Sequence, residues 1–189
     1  FRFGYLGAFR NVKVARIFIY IFFISLIYHA VQQWLSVYFS TQLLLNQFTI
    51  SMLITLTSLS GIFGELWGGH LADKFSRQKV ISLGIIGMII CTFMFLLKLP
   101  VAALSLVMII WGLGWTFNHI GLSTTLTDLP SEFLHEAASL NSAVRFISGG
   151  IGVGLGGLIM HKSFNLGFII FGSALVLLLF SGKVFKLKQ

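Results

Sequence analysis

An all-α protein that crosses a bilayer six times is the fold class this sequence predicts, and three observations predict it. Of 189 residues, 57% are hydrophobic and only 10% are charged, and the mean hydropathy is +0.95. A soluble domain carries about 25% charged residues, so this much apolar surface has no place inside a water-soluble globule. The apolar residues also fall into six runs, each near the roughly 20 residues that a spanning helix needs. Finally, the runs differ in character, and the order of characters repeats after three.

The chain divides into a basic arm over 1–16, a six-helix bundle over 17–182 and a basic tail over 183–189. The arm carries Arg2, Arg10, Lys13 and Arg16 among aromatics. It reads either as an interfacial arm or as the end of a linker. The first run, about Ile17 to Phe39, places Ser25, His29, Gln32 and Ser36 on one helical face, with Gln33 beside them. Polar groups in hydrocarbon need partners or water, so this face looks into a bundle or a wet cavity.

The second run, about Thr49 to Ala72, carries Gly61, Gly64, Gly68, Gly69 and one acid, Glu65. Small residues let helix backbones approach in membranes. Glu65 lies about 12 Å deeper than Asp73 at a rise of about 1.5 Å per residue. The third run, about Val80 to Leu97, is apolar all round and suits lipid. Its one cysteine, Cys91, has no partner for an internal disulfide and reads as a core residue.

Pro100 suits the start of the fourth run, about Val101 to Thr125, which has Trp111, Trp115, Asn118 and His119 at helical spacing. The fifth, about Phe133 to Met160, holds Arg145 and six glycines between Gly149 and Gly157. The sixth, about Phe164 to Phe180, is again apolar all round. Runs one and four thus carry polar stripes, two and five carry glycines and one ionisable residue each, and three and six are uniformly apolar. An odd number of spans per unit inverts the second unit, which predicts a 3+3 inverted repeat.

Charge placement orients the bundle. The basic residues of the arm, of the tail and of the turn after run two number ten, and they share one side. Only Lys98 and Lys162 fall on the other, with Arg145 inside a span. By the positive-inside rule both termini are cytoplasmic, as expected of a cell-membrane protein. The net charge of +8 does not imply a nucleic-acid partner, because the basic residues sit at segment ends rather than on one face. No nucleophile–base pair, phosphate-cradling loop or metal-ligand cluster stands out, so neither an enzyme nor a cofactor is expected. His29 and His119 lack the carboxylate or thiolate neighbours of a metal site.

The stretch Gly69, Leu71, Ala72, Asp73, Lys74, Phe75, Arg77 and Lys79 resembles the signature loop of the major facilitator superfamily, usually written G-x-L-a-D-r-x-G-r-k. In that family the loop joins the second and third helices of a six-helix half. Ala137, Ala138, Ser139 and Leu140, followed by the glycines, look like the fifth helix of such a half. Two departures stand out. Ser76 occupies the place of a usual glycine, which makes the turn's backbone less permissive. The fourth run lacks the arginine, and the fifth the proline, known from amino-terminal halves and antiporters, which points to a carboxy-terminal half. A chain that opens on Phe1 rather than Met then reads as part of a longer polypeptide or as a processed form, and the amino-terminal half is expected in the same polypeptide or in a second chain.

The resemblance implies a secondary transporter that works by alternating access between two rocking halves. Proton-coupled efflux of small amphipathic compounds, drug-like or metabolic, is the leading expectation. A sugar or other metabolite carrier of the same superfamily is the alternative within the class, and a six-span structural protein without a transport cycle lies outside it. Gly69, Asp73, Arg77 and Lys79 form a cytoplasmic gate on this reading, with Asp73 meeting a helix amino-terminus of the other half. Otherwise they form a solvated loop that only sets topology. Glu65 and Arg145 read as a charge pair or network, either rearranged during transport or static. His29, Gln32, Gln33, Trp111, Trp115, Asn118 and His119 line a substrate cavity, or else pack between helices.

Overall fold

A computed structural model describes residues 11–129 and 134–184. The expected features in residues 1–10, 130–133 and 185–189, among them Arg2, Arg10, Lys186 and Lys188, lie outside the described residues. The order of elements is α1 Val12–Thr41, α2 Gln47–Phe75, α3 Arg77–Met94, α4 Val101–Leu126, α5 Leu134–Met160 and α6 Phe164–Val184. Each is long and apolar enough to cross a membrane, and the described residues contain no strand. The α1 helix starts five residues before the expected edge of the bundle, so Lys13 and Arg16 belong to its first turns rather than to a separate arm.

The helix ends follow local chemistry. Asn46 sits in extended backbone before α2 and accepts the Thr49 main-chain N–H at 2.9 Å, which satisfies one of the free donors of the first turn. Pro100, with φ −67°, opens α4, where its missing N–H costs nothing. Ser163 accepts the Leu166 N–H at the start of α6. The Tyr38 hydroxyl donates to the Phe95 carbonyl at 2.6 Å and so ties the end of α1 to the end of α3.

Burial ranks the helices as the runs suggest. Along the spans, α1 is 67% buried and α4 44%, whereas the other four lie between 28% and 33%. The two helices with polar stripes are therefore the inner ones, and α3 and α6 present broad apolar faces outward. The main packing partners are α1 with α5, α4 with α2, and α3 with both α4 and α6. Exchanging α1–α3 for α4–α6 carries the α1–α5 pair onto the α4–α2 pair, which is the inverted repeat expected from the order of characters.

Glycine makes both of these crossings possible. A Cβ at Gly152 or Gly156 of α5 would overlap the carbonyls of Leu26 and Ala30 on α1. On the other side, a Cβ at Gly112 of α4 would overlap Thr57 and Ser60 on α2. Backbones this close gain dispersion contacts that larger side chains would prevent.

Candidate functional site

A groove of about 240 Å³ opens between α1, α2 and α4. Its aromatic wall is built on Tyr28, whose ring stacks on Trp115 at 4.0 Å between centroids and on Trp111 at 5.4 Å. The His29 ring meets Trp115 edge-on at 5.5 Å, and His119 lies 6.3 Å from it. Offset and edge-to-face contacts of this kind hold aromatic rings in fixed orientations. Gln32, Trp115 and His119 line the groove, as does Glu65 from α2.

Trp111 has a different place from the one expected. It is fully buried, its Nε1–H donates to Gln32 Oε1 at 2.6 Å, and its ring packs edge-on against Phe95. It therefore supports the wall from behind. Asn118 is also fully buried, and its Nδ2 donates to the Gly114 carbonyl and reaches the Met88 sulfur, at the contact of α4 with α3. Its expected place in the cavity is thus corrected. At about 100° per residue, Asn118 and His119 sit at opposite edges of the α4 stripe, so one edge faces α3 and the other faces the groove. Gln33 is exposed and lies outside the groove lining.

Glu65 and Arg145 do not form the expected pair. Glu65 is exposed to the groove and makes no ion pair among the described residues. Arg145 places its Cζ 5.5 Å from the Trp115 ring, and its Nε–H donates to Asn141 Oδ1 at 2.9 Å. Asn141 in turn reaches Ser123 Oγ on α4 at 3.4 Å. The Arg145 carbonyl accepts from Ser25 on α1 and from Ser148. The His29 Nδ1–H donates to the Ser25 carbonyl at 2.8 Å. These bonds link the polar stripe of α1 to α5.

At one end of the bundle lies the α2–α3 turn. Asp73 is exposed on the last turn of α2, and Gly69 is half-buried with open space beside its Cα. Lys74 holds its ammonium 5.5 Å from the Phe75 ring. Ser76, the one residue between α2 and α3, has φ 103° and ψ 142°. Lys79 is exposed, while Arg77 makes an ion pair with Asp128 at the end of α4. Asp128 was visible in the sequence only as an acid in the connection that parity puts on the same side as Arg77. Tyr28 was hidden among the aromatic and aliphatic residues of the first run, although its four-residue spacing to Gln32 places it beside the polar face.

The described residues thus form two inverted helix triplets with polar inner helices around a groove that Glu65 and His119 line. The model of the Major Facilitator Superfamily matches residues 2–153, and the chain belongs to that family. It is accordingly a multi-pass membrane protein of the facilitator transporter class. A search of curated proteins gave no match.

Proposed function

We propose that this chain is one half, the carboxy-terminal one, of a proton-coupled exporter of small amphipathic compounds. The observation that carries the reading is Glu65, a carboxylate with no ion pair among the described residues, which opens on the same groove as Trp115 and His119. Counted from Phe75, it lies about 15 Å along α2 from the helix end. A charge at such depth costs at least about 2.5–3.5 kcal/mol, so this side chain requires a partner or the water of the groove. Alternating access then lets a proton leave it on one side and be replaced on the other.

The groove volume of about 240 Å³ falls below the roughly 300–1,000 Å³ of ligand pockets. That size suits one wall of a site which a second half completes, whether from the same polypeptide or from a second chain. The lining favours amphipathic cargo over sugar. Of its hydroxyls, Thr57, Ser58 and Thr116 already donate to main-chain carbonyls of their own or the neighbouring helix, so the polar groups left to a cargo are those of Tyr28, Gln32, Glu65, Trp115 and His119, set largely on aromatic surface. The basic residues at the chain ends and in the α2–α3 turn support cytoplasmic termini in the cell membrane. Asp73, exposed at the end of α2, is free to meet a helix amino-terminus of the other half, where a carboxylate is favoured. With Gly69, Arg77 and Lys79 it would close the cytoplasmic gate.

The test is the native polypeptide carrying this chain, reconstituted in vesicles with an acidified lumen and exposed to a panel of amphipathic compounds. Transported compounds are expected to dissipate the gradient. Glu65→Gln is expected to abolish that coupled flux while leaving compound exchange between equally buffered sides. Coupled flux that survives Glu65→Gln unchanged would remove the proton role from this residue.

A further inference from the structure

Resting on the transport reading above, we propose that the cargo is an organic anion, with its apolar body against Trp115 and its carboxylate on the guanidinium of Arg145. The Arg145 main chain and its Nε are held by hydrogen bonds. Its carbonyl accepts from Ser25 and Ser148, and its Nε–H donates to Asn141 Oδ1 at 2.9 Å. Asn141 is itself tied to Ser123. By contrast, Nη1 and Nη2 are buried and have no hydrogen-bond partner among the described residues. These two nitrogens are the tines of the guanidinium fork, whose spacing matches the two oxygens of a carboxylate.

The position of the fork points the same way. Arg145 lies about 16 Å along α5 from Leu134, a depth close to that of Glu65 on α2. A cation there requires an anion or water. Its Cζ is 5.5 Å from the ring of Trp115, which lines the groove, while Arg145 itself is outside the lining and its Nη atoms are buried, so a carboxylate reaches the fork only when the groove opens beside Trp115. Among the acids whose side chains are described, Asp128 is engaged by Arg77 and Asp73 is exposed at a helix end, which leaves Glu65 alone mid-span. Glu65 makes no ion pair with Arg145. The Trp115 ring, held by its stack on Tyr28, lines the groove and gives an aromatic or otherwise planar body apolar surface to pack on. A fixed arginine beside a flat aromatic wall selects planar carboxylates.

The experiment compares three probes of one shape and different charge on the native polypeptide: naphthoate, naphthylmethanol and naphthylmethylamine. Binding is measured calorimetrically in lipid nanodiscs without a proton gradient. Naphthoate is expected to bind at least about tenfold tighter than naphthylmethanol, as befits a charge-assisted bidentate contact. Arg145→Gln is expected to bring that ratio to within about twofold, and Arg145→Lys to an intermediate value, since an ammonium is a point charge without the fork. If Arg145→Gln does not fold, the wild-type ratio and Arg145→Lys decide. Equal binding of the alcohol or the amine, or no naphthoate binding at all, overturns the inference. So does an unchanged ratio in Arg145→Gln, the result expected if an acid of the facing half holds the arginine. Naphthoate preference without gradient-driven flux would defeat the proton coupling and leave this inference standing. Coupled flux without the preference would do the reverse.

Discussion

Ser76 carries a backbone conformation, φ 103° and ψ 142°, that residues with a Cβ rarely adopt. It is also the position at which the family's loop usually has glycine. The hydroxyl makes no capping bond to α3, while the Ser76 carbonyl accepts the Lys79 and Val80 N–H groups through backbone alone. Ser76→Gly therefore removes strain and loses no capping bond. The expected outcome is a gain of about 1–3 kcal/mol, the usual cost of such a conformation, read as a higher melting temperature of the purified protein in detergent. An unchanged or lower melting temperature would mean that the turn relaxes without cost. The neighbouring Arg77–Asp128 pair is partly exposed at both ends, and such pairs contribute only about 0–1 kcal/mol. Its value lies in tying the start of α3 to the end of α4.

At the scale of elements, the α5 glycines divide into two groups that composition alone cannot separate. Gly152 and Gly156 face the α1 carbonyls, whereas Gly150 and Gly154 face open space. Gly156→Ala is expected to destabilise the bundle by about 1–3 kcal/mol through overlap with Ala30. Gly154→Ala is expected to leave stability unchanged or to raise it by up to about 1 kcal/mol through better helix propensity. Paired unfolding measurements in detergent check the contrast, and equal shifts would contradict the crossing.

The six helices, their order and the inner position of α1 and α4 were legible in the sequence, because burial in a bilayer acts on the composition of whole runs. The site was legible only in part. Tyr28 carries no polar signal stronger than that of the many aromatics around it. Asn118 shares the α4 stripe with His119, yet the stripe is wide enough to straddle two neighbours. The partner of Arg77 is far along the chain, and only the packing of α3 on α4 brings Asp128 to it.

At the scale of the whole molecule, the two inverted triplets place Glu65 on one flank and Arg145 on the other, at similar depth, with the aromatic wall of α1 and α4 between them. That layout suits a rocking half, since a tilt of one half against another changes which side of the membrane wets the groove. It also explains why the strongest sequence signal, the Gly69–Lys79 stretch, lies away from the groove. On the proposed reading, the loop governs which end is closed and the groove governs what is carried. The most direct measurement is gradient-driven flux of amphipathic compounds by the native polypeptide in sealed vesicles, compared between wild type and Glu65→Gln. Flux that follows an imposed proton gradient in the wild type and vanishes in the variant is the expected result. Wild-type vesicles that move no compound under any gradient would contradict coupled transport through this groove.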